Sequence, residues 1–81
     1  MKNLSETESR VADAYCHGMS DKEISSYLHM AVWTVRTHKK HIYSKIGAHN
    51  EQMLVLFCVS CKMEKGWDPK EVEARGLDAL F

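Results

Sequence analysis

The chain has 81 residues, of which 44% are hydrophobic and 27% charged, and its formal net charge is zero. This composition is typical of a single globular domain, and one proline and four glycines leave little room for a loop-rich or β-sandwich fold. Its longest apolar stretch, 53–59, is far shorter than the ~20 residues that cross a bilayer, and the N-terminus lacks a signal-peptide pattern. We therefore expect a cytoplasmic protein that does not contact a membrane.

Three cysteines, Cys16, Cys58 and Cys61, lie within apolar patterns. An odd number of cysteines in such positions favours reduced, buried thiols over a disulfide scaffold. The cysteines therefore also predict a reducing compartment.

The first predicted helix covers about 6–16. Ser5 and Glu8 have the spacing of a capping box, in which a hydroxyl and a carboxylate satisfy the free amide hydrogens of a helix start. Apolar residues then recur with helical spacing, and Gly18 offers a left-handed stop.

A second capping box, Ser20 and Glu23, predicts a short helix over about 21–28. Because the two boxes lie close together in sequence, the connection between these two helices is short and has little conformational freedom. A turn follows, and the next helical pattern begins after Ala31.

The third predicted helix, about 32–46, ends at Gly47, and its cap residue Ala31 is a poor one, which typically costs about 1 kcal/mol relative to serine. Residues 31–50 contain four basic residues and no acidic residue, whereas 51–81 contain six acidic and four basic residues. The neutral total therefore conceals a basic central helix, which suits an electrostatic footprint on one face. Its basic residues are Arg36, Lys39, Lys40 and Lys45.

The fourth predicted helix, about 51–65, begins after Asn50, stops at Gly66 and is apolar on nearly all sides. Such a helix must be buried on more than one side. Either the segment 67–81 covers the extra surface, giving a monomer, or a second copy does so in a two-fold dimer, which we favour. The dimer residues that we predict are Met53, Leu54, Phe57, Cys58 and Cys61.

Pro69 fits the first position of a short final helix, about 69–75, which Gly76 closes. We therefore expect a main domain at 1–66 and a helical extension at 67–81 that packs on the domain or on the dimer interface.

A short helix, a tight turn and a longer basic helix form the arrangement that lays one helix in the DNA major groove. Arg36 and Lys40 are four residues apart on one face of the third helix, with Thr37 beside them. Arginine and lysine reach guanine O6 and N7, and a threonine methyl can meet a thymine methyl. The alternative is that these residues only form the solvated side of an amphipathic helix.

Several segments together resemble the LuxR/FixJ/GerE-type helix-turn-helix domain, in the same order and without gaps from Leu4 to about Phe57. The resemblance implies an all-α, four-helix DNA-binding domain of a bacterial transcription regulator, usually dimeric through the fourth helix. The pattern at 69–75 adds a short extra C-terminal helix to this fold. Most members carry this domain behind a receiver or ligand-sensing domain. Met1 favours a natural start for this chain, and the alternative is a fragment of a longer protein. The matching segments are Leu4-Ser5-Glu6-Thr7-Glu8, Gly18-Met19-Ser20-Asp21-Lys22-Glu23-Ile24, Leu28, Thr34-Val35-Arg36-Thr37-His38 and Lys45-Ile46-Gly47.

The resemblance also implies roles for individual residues. Arg36, Thr37 and Lys40 match positions that reach base edges, which carry the sequence information, whereas phosphate contacts fix the position of the protein. Lys22 and Thr34 match phosphate-contacting positions. The full predicted phosphate set is Lys22, Thr34, His38, Lys39 and Lys45.

Four positions depart from the family pattern: Thr7, Asp21, Ala31 and Glu51. Asp21 puts a negative charge beside a predicted phosphate contact, and Ala31 lacks a capping hydroxyl. Trp33 is large for an exposed position next to DNA. These departures bear on affinity and on the preferred DNA sequence more than on the fold.

The sequence gives weaker support to two other hypotheses, a zinc site and an enzyme active site. Cys58 and Cys61 with His38 and His41 have ligand types that suit zinc, but both pairs fall within predicted helices without the usual turn. No nucleophile, base and acid converge in the sequence, so we predict neither an enzyme nor a cofactor.

The predicted function is sequence-specific binding of double-stranded DNA by a transcription regulator, as a homodimer. The alternative is a protein-interaction module that binds another regulator or an RNA polymerase subunit.

Overall fold

Five α-helices and a terminal 3₁₀ helix make up the computed structural model, which describes residues 4–80. Over this range the chain contains no β-strand, which confirms the predicted all-α class. None of the helices in the same range is long and apolar enough to span a membrane. The helices are α1 (Glu6–Cys16), α2 (Asp21–Leu28), α3 (Val32–Ile46), α4 (Glu51–Lys62), α5 (Pro69–Arg75) and the 3₁₀ helix Gly76–Leu80.

Both predicted capping boxes are formed. The hydroxyl of Ser5 accepts from the amide of Glu8 at 3.2 Å, and the Glu8 carboxylate accepts from the Ser5 amide at 3.0 Å. Ser20 and Glu23 repeat the arrangement at the start of α2. The start of α3 has no side-chain cap at Ala31, as the sequence indicated.

The end of α4 differs from the prediction, which extended the helix to residue 65. The helix ends at Lys62, and Glu64 adopts a left-handed backbone with φ of 55°. The amide of Lys65 donates to the carbonyl of Ser60 at 2.9 Å and closes the helix end. A glycine is the usual residue for such a turn, so the sequence pointed to Gly66 and missed the stop at Glu64.

The core lies where α1, α3 and α4 meet, and α2 closes it from the side of the turn. Apolar side chains from all four helices are buried there, and those with no measurable exposure are Val11, Ala12, Ile24, Val35, Ile42 and Leu54. Because this face of α3 is buried, its opposite face is turned to solvent.

The core also contains four of the five residues predicted for the dimer interface: Met53, Leu54, Phe57 and Cys58 are each at most 5% exposed within a single chain. That assignment is wrong, because these side chains pack against α1 and α3 and offer no free surface to a second copy. Cys61 is half-buried.

Cys16 and Cys58 form a disulfide that joins the end of α1 to the middle of α4, with Cα atoms 6.5 Å apart. The prediction of three reduced thiols is therefore wrong for this pair, and Cys61 is the remaining free cysteine. The two residues are 42 positions apart, so their contact depends on how α1 and α4 cross. Spacing along the chain does not reveal it.

The segment after α4 returns to the end of α3. The indole Nε1 of Trp67 donates to the carbonyl of Ile46, the last residue of α3, at 2.7 Å. Its ring meets Phe57 edge to face, with centroids 5.2 Å apart. Gly47 has a φ of +75°, and a Cβ there would lie 2.9 Å from a ring carbon of Pro69. The last turn of α3 is thus held by residues outside the helix-turn-helix.

Candidate nucleic-acid interface

The exposed face of α3 presents the three residues predicted to contact bases. Arg36, Thr37 and Lys40 are all exposed, and they share a shallow cleft of about 350 Å³ with Asp21, Lys39 and Tyr43. The buried residues Val35 and Ile42 occupy the opposite side of the helix, which fixes its rotation about its own axis.

The three side chains have different immediate partners. The Thr37 hydroxyl donates to the carbonyl of Trp33, one turn earlier, at 2.9 Å, so its oxygen can still accept a hydrogen bond. Lys40 makes no ion pair within residues 4–80. The Arg36 side chain is 64% exposed and donates from Nε to Oδ2 of Asp21 at 3.1 Å. Within residues 4–80 the exposed face therefore offers the unpaired ammonium of Lys40 and the guanidinium of Arg36, which is paired only through Nε.

Asp21 is the centre of a cluster of four side chains from three helices. Its Oδ1 accepts from the hydroxyl of the buried Tyr15 and from the ammonium of Lys39 at 3.3 Å. The same ammonium lies 5.0 Å from the centre of the Tyr15 ring, within cation–π range. The other carboxylate oxygen of Asp21, Oδ2, accepts from Nε of Arg36.

The pKa values in this cluster move in opposite directions. The hydrogen bond from Tyr15 is the main reason that the pKa of Asp21 is lowered, with smaller contributions from Arg36 and Lys39. Burial, followed by the hydrogen bond to Asp21, raises the pKa of Tyr15. Tyr15 therefore remains a hydrogen-bond donor and Asp21 remains ionised at neutral pH.

Three of the predicted phosphate contacts lie on α2 and α3. Lys22 is exposed at the second residue of α2, while Thr34 and His38 are half-buried on α3. Within residues 4–80 the ammonium of Lys22 has no ion-pair partner. Lys22 thus remains a free cation at the start of the helix that precedes α3.

Lys39 and Lys45 are engaged by acidic residues that the sequence did not indicate as partners. Lys39 is held by Asp21, and its side chain is 26% exposed. Lys45 donates to Oε1 of the buried Glu8 at 2.7 Å. This hydrogen bond, followed by that from the Ser5 amide, lowers the pKa of Glu8 from 4.5 to about 2. Both lysines therefore have a structural partner within the chain, and their contact with phosphates stays a prediction.

The hypothesis of a zinc site does not fit the disulfide that the structure contains. Cys58 is bonded to Cys16, so Cys58 and Cys61 do not present two thiolates to a metal. No group of three or more potential metal ligands occurs in the part of the chain that the structure describes.

The sequence did not show the Tyr15–Asp21–Arg36 arrangement. It marked Asp21 as a departure from the family pattern, which was a usable signal. It did not reveal the partner, because Arg36 lies 15 residues further along and reaches Asp21 only through the packing of α2 on α3.

A short helix, a tight turn and a longer helix with an exposed basic face define a helix-turn-helix protein. The family described as "Bacterial regulatory proteins, luxR family" matches residues 2–58. The chain therefore belongs to this family.

The chain is also similar to the oxygen regulatory protein NreC of Staphylococcus aureus. It is 34% identical to the proteins of strains JH9 and JH1 over 62 residues, which are 76% of this chain and 29% of each relative. The chain therefore spans less than a third of the length of these relatives. No solved structure matches it.

Proposed function

We propose that this protein binds double-stranded DNA in a sequence-specific manner, with α3 in the major groove. The observation that carries the proposal is the exposed face formed by Arg36, Thr37 and Lys40 on a helix whose other side is buried. A major groove about 12 Å wide admits one helix. Arginine and lysine at these positions suit guanine, and threonine suits a thymine methyl or an acceptor contact.

Phosphate contacts would set the position of α3 in the groove. Lys22 is the strongest candidate because it is exposed, unpaired within residues 4–80, and placed at the start of α2. Thr34 and His38 can add hydrogen bonds from the edge of α3. Most of the non-specific affinity then comes from few cations, so we expect a moderate dependence on salt.

The decisive experiment measures binding to a labelled duplex as the salt concentration is varied. A DNA reader loses affinity with a log–log slope of about −0.9 for each phosphate neutralised. A slope near zero at all salt concentrations would refute the proposal. Selection of bound sites from a random duplex pool then supplies the preferred sequence.

Two substitutions separate base contacts from phosphate contacts. Arg36→Ala should relax the preference at one base pair, with a loss of about 1–3 kcal/mol of discrimination. Lys22→Ala should weaken binding to all sequences alike and reduce the salt slope by about one unit. Lys70→Ala, which removes another exposed lysine, on α5, is the matched control and should change neither property.

We also propose that the protein acts as a homodimer, through a different face of α4 from the one that the sequence indicated. Val55, Leu56 and Val59 are half-buried in the single chain and share one side of the helix. A two-fold pairing of this face would place two copies of α3 on a symmetric DNA site. Val59→Glu should yield a monomer in sedimentation analysis, while Ala74→Glu on α5 should not; an unchanged dimer in the Val59 variant would refute this interface.

A second candidate function is binding to another regulator or to an RNA polymerase subunit. Trp33 and Tyr27 favour it, since they are 71% and 67% exposed and large aromatic residues are enriched in protein interfaces. If Trp33→Ala abolished partner binding while the salt-dependent DNA slope was absent from the start, this candidate would replace the first.

The proposal includes action by binding without catalysis, in the cytoplasm. The location rests on the class of protein alone, because the Cys16–Cys58 bond removes the argument from reduced thiols. It also retains residues 1–66 as the DNA-binding unit and 67–81 as an extension, whose Trp67 contacts the end of α3.

A further inference from the structure

Asp21 holds the Arg36 side chain by one edge of its guanidinium. Only Nε of Arg36 donates to Asp21, and its two terminal nitrogens have no hydrogen-bond partner within residues 4–80. Those two nitrogens form the end-on fork of the guanidinium, which can bond two acceptors at once. The pair therefore occupies the side of Arg36 that a guanine does not need.

The Asp21 carboxylate is itself fixed from its other side. Oδ1 accepts from Tyr15, which is 2% exposed on α1, and from Lys39 on α3. Because a buried tyrosine has few alternative orientations, the carboxylate cannot turn away without losing these hydrogen bonds. The constraint passes from the core through Tyr15 and Asp21 to Arg36.

From this geometry we infer that Asp21 is a specificity-determining positioning residue, which orients Arg36 so that its terminal nitrogens face a guanine. The inference rests on the proposed function, since it takes Arg36 as a base reader. A long arginine side chain loses rotamer freedom when it binds, and holding it beforehand reduces that cost at the cognate base pair. At the same time the negative charge of Asp21 lowers the attraction to any DNA.

The alternative is that Asp21 merely weakens Arg36 by neutralising it. The two explanations differ in sign for Asp21→Ala. If Asp21 orients Arg36, Asp21→Ala should bind non-cognate DNA about twofold more tightly, which is the effect of removing one charge about 10 Å from phosphates in water. Its preference at the base pair that Arg36 contacts should fall about three- to tenfold. If Asp21 only neutralises Arg36, affinity and preference rise together.

The experiment uses the full chain, a duplex selected by the wild-type protein, and the three duplexes that differ at the base pair whose preference Arg36→Ala relaxes. Asp21→Asn is the conservative variant, because its amide oxygen can still accept from Arg36 without a charge. We expect it to gain the same non-cognate affinity and to keep more of the preference than the alanine variant. Asp13→Ala removes an equal charge from the exposed side of α1 and should leave the preference unchanged.

A second measurement needs no DNA and therefore separates failure of this inference from failure of the proposed function. The chain has three arginines, and Arg10 and Arg75 donate from terminal nitrogens, so Arg36 is the one whose Nε–H is bonded within residues 4–80. Its Nε–H signal in an NMR spectrum should exchange with water more slowly than the other two and should lose this protection in Asp21→Ala. An unprotected signal in the wild-type protein, or an unchanged or increased base preference in Asp21→Ala, would overturn the inference.

Discussion

The ion pair between Lys45 and Glu8 gives the sharpest test of how α3 is anchored. Lys45→Met removes the ammonium, keeps most of the side-chain length, and leaves the Glu8 carboxylate buried without its main partner. The lowering of the Glu8 pKa from 4.5 to about 2 corresponds to about 3 kcal/mol for all of its partners together. The Ser5 amide supplies part of this, so we expect Lys45→Met to lower the free energy of unfolding by about 2 kcal/mol at pH 7.

The loss should depend on pH in a defined direction. Because the pKa of Glu8 is lowered in the folded protein, its contribution is fully present above pH 4.5 and is lost as the pH falls from 4.5 towards 2. The difference between the wild-type protein and Lys45→Met should therefore shrink to about two-fifths of its pH 7 value by pH 2.5.

Urea unfolding followed by circular dichroism measures this difference. With a slope of about 1 kcal/mol per M for so small a domain, the midpoint of Lys45→Met should fall by about 2 M at pH 7. Lys40→Met is the control: it removes an exposed lysine that forms no ion pair within residues 4–80, from the same helix, and should change stability by less than about 0.5 kcal/mol. A Lys45→Met penalty that is as small as the control at pH 7, or that persists unchanged at pH 2.5, would refute the reasoning.

Three further outcomes follow from the contacts described above. Gly47→Ala should lower the free energy of unfolding by about 2 kcal/mol in urea titrations, because alanine is strained at positive φ and its Cβ would crowd Pro69; a neutral effect would contradict that packing. Trp67→Phe should cost at least about 1 kcal/mol in the same assay, since it keeps an aromatic ring but loses the hydrogen bond to Ile46 and part of the packing of the indole, and a cost below that of an exposed substitution would contradict it. Thiol titration of the unreduced, unfolded protein should count one free thiol, Cys61, and three after reduction; a count of three before reduction would exclude the disulfide.

Much of the fold could be predicted from local signals. The caps at Ser5 and Ser20 and the glycine at Gly47 fixed the limits of α1, α2 and α3, because each acts within a few residues of its own position. The end of α4 could not be predicted in this way, since Glu64 adopts a left-handed backbone conformation that glutamate does not favour.

The candidate site could be predicted only in outline. Exposure of Arg36 and Lys40 followed from the helical period, which the apolar residues on the other face of α3 define. The pairings of Lys39 and Lys45 did not follow from it, because Asp21 and Glu8 are 18 and 37 residues away and come close only through helix packing. The apolar pattern of α4 likewise does not show which of its sides α1 and α3 cover, so residues buried within the single chain were assigned to a dimer interface.

The hydrogen bond between Trp67 and Ile46 has a practical consequence for anyone who trims this protein. The family match stops at residue 58, and a fragment cut there, or at Gly66, would lack the indole that occupies the last carbonyl of α3. It would also uncover the edge of Phe57. The shortest fragment that keeps these contacts and the whole of α5, with its buried Val72, should therefore extend through Arg75.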